Sequence, residues 1–79
     1  QISGLNITSI PEWILEDATD LKIQYTSIST IGNRAFNKWS QLTRLDLSHN
    51  NISQIDRGAF RGMAMLSELY LYHNQITEV

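Results

Sequence analysis

One register of residues recurs every 24 positions and constrains this chain more than any other feature. Leu42, Leu45, Leu47, Asn50, Ile52, Ile55, Ala59, Phe60 and Met63 form one set. At the same spacing downstream stand Leu66, Leu69, Leu71, Asn74, Ile76 and Val79, and upstream Ala18, Leu21, Ile23, Thr26, Ile28, Ile31, Ala35, Phe36 and Trp39. Self-similarity at a fixed period marks a repeat architecture, whose units bury their apolar faces only by stacking on one another. A shorter unit precedes these, with Ile2, Ile7 and Ile10 lying 21 positions before Ile23, Ile28 and Ile31. Pro11 follows it as a rigid exit, since proline lacks the donor that an interior strand needs.

The spacing predicts the shape of each coil. In Leu42-x-x-Leu45-x-Leu47 the last two leucines alternate with Arg44, Asp46 and Ser48, the period-two pattern of a short strand with one buried face. Ile52 and Ile55 turn back beneath the strand. Ala59, Phe60 and Met63 close the return leg, with Phe36 stacked below Phe60. Stacked coils place their strands about 4.8 Å apart in one parallel sheet. Asn50 and Asn74 fall in the turn after each strand, where a carboxamide offers both donor and acceptor to neighbouring loop backbone. Thr26 takes that place one coil earlier, with a single hydroxyl that should do the job less completely.

These units predict one domain over 1–79, divided into a cap-like partial repeat 1–17, full repeats 18–41 and 42–65, and a partial repeat 66–79. A chain of this size, 79 residues, is only marginally stable by itself. Its net charge of −2 and its scattered basic residues argue against a nucleic-acid partner, which needs a clustered basic face. No apolar run approaches the roughly 20 residues that span a bilayer, so no membrane insertion is expected within this segment. The absence of cysteine removes disulfides, thiol chemistry and Cys-based metal sites. Gln1 opens directly into patterned sequence, as in a mature chain or an excised fragment.

The pattern L-x-x-L-x-L-x-x-N-x-I-x-x-I-x-x-x-A-F-x-x-L resembles the extracellular type of leucine-rich repeat. It is carried here by Leu42, Leu45, Leu47, Asn50, Ile52, Ile55, Ala59 and Phe60, with Met63, and Trp39 before it, at the closing position. Leu5 to Asp17 resembles the junction between an N-terminal cap and a first repeat. Toll-like receptors, Slit-type guidance proteins and the variable lymphocyte receptors of jawless fish share this style. The resemblance implies an α/β repeat fold: a short right-handed solenoid with a parallel inner sheet and an outer side of loops and short helical turns. It also implies a non-catalytic scaffold, without cofactor, that binds a protein ligand on its concave face in a receptor, adhesion or innate-immune ectodomain. The place implied is extracellular, secreted or on the cell surface. The chain departs from the family in lacking the paired cap cysteines, one of which falls where Ile2 stands, and in stopping at Val79 in mid-repeat. The expectation is therefore a fragment or capless short form. The alternative is a stacking or self-assembling module, natural or engineered, with no separate ligand.

Alternation directs Asp20, Lys22 and Gln24, then Arg44, Asp46 and Ser48, then Glu68, Tyr70 and Tyr72 out of the core. All but Asp20 are candidate partner-binding residues. The charges form either a docking surface or cross-strand pairs that satisfy one another. Tyr70 and Tyr72, with Tyr25 and His49 nearby, form either an interface anchor or a shield over the last strand; tyrosine covers much area with few rotors. His49 and His73 should lie on neighbouring rungs about 5 Å apart, as a metal or pH-sensing pair or as two ordinary exposed histidines. Asp46, Ser48 and His49 carry the letters of a catalytic triad. Neighbours on one strand cannot assemble one, because alternation sends them to opposite faces, and no enzyme is expected. Asn6-Ile7-Thr8 and Asn51-Ile52-Ser53 match the N-glycosylation acceptor. The last strand leaves a free edge over Leu66, Leu69, Leu71, Ile76 and Val79, where a homodimer of two edges could close.

Overall fold

A computed structural model describes residues 1–76 of the chain. Six short strands alternate with turns: β1 (Ile2–Gly4), β2 (Asp20–Thr26), β3 (Thr30–Ile31), β4 (Arg44–Asp46), β5 (Gln54–Ile55) and β6 (Glu68–Tyr70). Strands β1, β2, β4 and β6 form one parallel sheet in that order, and β3 pairs with β5 in a second, two-stranded sheet. The main sheet keeps the sequence period: Asp20, Arg44 and Glu68 lie abreast, as do Leu21, Leu45 and Leu69. The shorter first unit keeps its own offset, Ile2 pairing with Ile23, before a register irregularity puts Gly4 opposite Thr26. Hydrogen bonds continue past β4, from Leu47 N–H to Tyr70 O and from His49 N–H to Tyr72 O. The rungs are thus longer than the regular strands.

The apolar columns fill the interior. Leu21, Ile23, Leu45 and Leu47 point inward from the main sheet, and Ile28, Ile31, Ile52 and Ile55 close the core below them. Phe36, Trp39, Leu42, Ala59 and Met63 seal the return side. Phe36 stacks on Phe60 at 6.0 Å, with ring planes 11° apart, as the spacing implies. Full burial of such side chains stabilises the fold by about 1.5–3 kcal/mol each. Trp39 does more than fill the closing position: its indole N–H donates to the Ile14 carbonyl at 3.1 Å and ties the segment before the first full repeat to the core.

Burial fades toward β6. Leu69 is 38% exposed, whereas Leu45 on the rung before it is fully covered. Leu66, Leu71 and Ile76 pack against the core but are only partly buried. Val79, which the repeat pattern counts with them, lies outside the described residues.

The outer side differs from the expected short helical turns. Among the described residues there is no helix, so the α/β description gives way to a solenoid of parallel strands and turns. The return leg is a run of tight turns instead. Asn37 N–H bonds to Arg34 O, Trp39 to Phe36 O and Leu42 to Trp39 O, and one coil later Arg61 bonds to Gly58, Met63 to Phe60 and Leu66 to Met63. Arg34 at φ 55° and Gly62 at φ 89° interrupt these legs with left-handed backbone. Helix propagation repays its nucleus only over a longer uninterrupted run.

Candidate functional site

The turns after β4 and β6 are each organised by one asparagine side chain. Asn50 Oδ1 accepts from the Thr26 N–H, and its Nδ2 donates to the carbonyls of Ile23 and Leu47. Asn74 repeats the arrangement, accepting from Ile52 N–H and donating to Leu47 and Leu71. These bonds fix the sheet's exit edge, and the outward-facing side chains stand on that rigid frame.

The outward face has two regions. On the entry side, Arg44 lies between Asp20 and Glu68, with nitrogen–oxygen separations of 3.4 and 4.0 Å. Both pairs are exposed and water-screened, so they contribute little stability. The Tyr70 hydroxyl donates to Glu68 Oε1 at 2.6 Å, and the Arg44 guanidinium sits 5.2 Å from the Tyr70 ring centroid. The Glu68 carboxylate accepting its proton holds the Tyr70 phenol above its usual range. Arg44, Glu68 and Tyr70 therefore largely satisfy one another. Lys22, half-buried in the next row, stands abreast of Asp46.

Gln24, Asp46 and Ser48 do not present themselves to a partner as alternation suggests. All three are buried. Gln24 Nε2 donates to Ser48 Oγ at 2.7 Å, and Ser48 Oγ donates in turn to Asp46 Oδ1 at 2.6 Å. The Ser48 backbone N–H adds a second bond to the same carboxylate oxygen at 3.0 Å. Burial pushes the Asp46 carboxyl up, but the two Ser48 bonds, helped by Lys22 and Arg44, outweigh it and hold the group below the ordinary aspartate range. The longer Lys22 and Tyr70 flank Asp46 on the neighbouring rungs. These three residues are a hydrogen-bonded polar floor beneath the outward face of the sheet rather than free side chains.

The exit side is aromatic. Tyr25 stacks on His49 at 5.1 Å and 19°, and His49 on His73 at 4.4 Å and 22°. Tyr72 meets His49 and His73 edge-on at 5.4 and 5.3 Å, and Tyr70 at 6.4 Å. Tyr25, His49 and His73 all have left-handed backbone, at φ 55°, 58° and 54°. No glycine or asparagine marks those positions, so sequence reading misses the geometry; its only trace is the repeated offset just before Thr26, Asn50 and Asn74. The histidines lie as near as the spacing predicts, but in a poor pose for chelation. One metal about 2 Å from both nitrogens must lie in both ring planes, and near-parallel stacked planes do not meet there. Among the described residues no group of three or more His, Cys, Asp or Glu gathers as a metal site.

Asn6 and Asn51 are both exposed. No helix among the described residues is long and apolar enough to cross a membrane.

A parallel sheet whose β2, β4 and β6 rungs keep one register, with Thr26, Asn50 and Asn74 closing their turns, defines a repeat solenoid that presents side chains from a rigid backbone. The chain belongs to the leucine-rich repeat family, whose profile matches residues 18–76. Domains of this family are generally protein-binding scaffolds and typically non-catalytic. No curated protein matches the sequence.

Proposed function

We propose that this chain is the ligand-binding part of an extracellular or cell-surface recognition protein, of the receptor, adhesion or innate-immune kind. It docks a protein partner on the outward face of the main sheet. Tyr72 is the anchor, and Tyr70, Lys22, Arg44 and Glu68 surround it with polar contacts. The observation that carries this reading is the state of Tyr72. It is 53% exposed, its hydroxyl has no hydrogen-bond partner among the described residues, and its ring is braced edge-on by Tyr70, His49 and His73. A large side chain already held in place loses little entropy on binding.

The test is a screen of the chain against a panel of extracellular proteins, followed by the Tyr72→Ala variant on any binder found. Affinity should fall by roughly 30-fold or more, the loss expected of a hot spot. A binder indifferent to Tyr72 but sensitive to Arg57 or Arg61 on the outer side would overturn the assignment.

A second reading, self-assembly through β6, draws on the exposure of Leu69 at that edge. Its test is the oligomeric state of the chain without ligand.

A further inference from the structure

The exit flank carries a ring that, among the described residues, is stacked by another ring on one side. His49 is covered by Tyr25 on one side and His73 on the other. Among the described residues Tyr25 stacks on one ring, His49, and is 55% exposed. On its other side lies the β1 rung, where Gly4 stands opposite Thr26, the residue after Tyr25. β1 carries no aromatic residue, with Ser3 and Gly4 at the register irregularity beside this rung, so the aromatic column ends there.

Beyond Gly4 the chain makes a tight turn, with Ile7 N–H bonded to Gly4 O at 3.1 Å. It is fastened to the Tyr25 rung at two points: Ser27 N–H to Ile7 O at 2.8 Å and Ser27 Oγ to Leu5 O at 2.5 Å. Asn6 lies between those points. Its side-chain oxygen is 2.7 Å from where a Cβ on Gly4 would stand, so the amide folds over the space that Gly4 leaves open. Asn6 is exposed, and among the described residues neither it nor Thr8, the third residue of its acceptor triplet, engages its side chain in a hydrogen bond.

We propose that Asn6 carries an N-linked glycan whose first N-acetylglucosamine packs on the open face of Tyr25. This rests on the extracellular reading above. The donor is an oligosaccharide on a polyprenyl pyrophosphate. Asn6 Nδ2 forms a bond to the anomeric carbon, the bond from that carbon to the phosphate oxygen breaks, and Nδ2 gives up one proton. No redox partner is needed. The C–H face of a pyranose is apolar, and covering an aromatic face with it removes both from water. Asn51 supplies an internal contrast. It holds the equivalent place two rungs on, but the ring on the rung after it, His73, already has its near face covered by His49.

The test is secretion of the chain from eukaryotic cells behind a cleavable signal peptide, in an Asn51→Gln background, with Tyr25 or with Tyr25→Leu. Peptide mass should show Asn6 occupied in both. Enzymatic removal of the glycan should lower the melting temperature by about 3 °C or more with Tyr25 present, and leave it nearly unchanged in Tyr25→Leu. The acetyl methyl resonance of the first sugar should be shifted upfield by the ring current in the Tyr25 protein. That signal decides the matter without the variant, should Tyr25→Leu fail to fold. An unmodified Asn6 in the folded secreted chain would overturn the site. An occupied Asn6 with an unshifted acetyl resonance would overturn the stacking. Partner affinity of Tyr72→Ala, read on the same material, tests the docking surface separately.

Discussion

Asn50 presents one side-chain oxygen to two donors of Thr26 in the preceding coil, the backbone N–H at 3.0 Å and the hydroxyl at 2.6 Å. Its amide nitrogen faces the other way, to the Ile23 and Leu47 carbonyls at 2.8 Å each. One carboxamide thus binds its own turn to the coil before it. Asn50→Ala should cost about 1–3 kcal/mol by leaving those backbone groups without partners. Equilibrium urea unfolding measures it, and an unchanged midpoint would mean that the loop groups find water.

Thr26 uses its one hydroxyl twice, accepting from Ile28 N–H at 3.2 Å and donating to Asn50. Its single oxygen therefore does more than the count of groups suggests. Thr26→Val keeps the shape and removes both bonds. A loss of about 1–2 kcal/mol is expected in the same unfolding assay; a neutral result would assign the turn to Asn50 alone.

Asp46 links stability to pH. Its carboxyl is held below the ordinary value of 3.8 in the folded chain, so the carboxylate favours the folded state above that pH. The contribution disappears as pH falls through 3.8 toward the folded value. Asp46→Asn should therefore be less stable than wild type at pH 7, and the gap should be narrower at a pH below 3.8. Parallel denaturation curves at the two pH values test this, and a constant gap would show that charge is not the stabilising feature.

Backbone handedness makes two opposite forecasts. Arg34 is exposed and left-handed at φ 55°, a region that costs most side chains about 1 kcal/mol. Arg34→Asn should stabilise the chain by roughly 0.5 kcal/mol, since asparagine tolerates this conformation better. Gly62, at φ 89°, should respond to Gly62→Ala by losing about 1 kcal/mol or more. Thermal melts of the two variants should move in opposite directions.

Among the described residues β6 pairs on its β4 side and Leu69 is 38% exposed, so the 79-residue chain is expected to self-associate through that edge. Sedimentation at micromolar concentration should show a dimer, and Leu69→Lys should abolish it while circular dichroism still shows a folded chain. A monomer at all concentrations would sink the expectation.

Much of the candidate site was legible in the sequence. The order Asp20, Arg44, Glu68 and the nearness of His49 to His73 follow from one period. The asparagine positions were legible for the same reason, since a residue kept at one offset returns to one place in each coil. The stacked column of Tyr25, His49 and His73 was only half legible. Spacing brings the three together, but their ring planes depend on left-handed backbone that no turn-forming residue announces. The short helical turns that the family resemblance implies for the outer side do not form among the described residues, where Arg34 and Gly62 break the leg before a helix can propagate.

The sequence by itself determined the coil, the buried columns and the neighbours across each rung. A period along the chain becomes a period in space whenever identical units stack. Only the tertiary structure decided which outward side chains reach water. Alternation aims Gln24, Asp46 and Ser48 away from the core just as it aims Tyr72. Whether an outward side chain stays exposed depends on the reach of its neighbours, and those neighbours come from coils 24 residues away. Beside Lys22 and Tyr70 the short Asp46 is enclosed and hydrogen-bonded, while Tyr72 outreaches its neighbours and remains open to solvent.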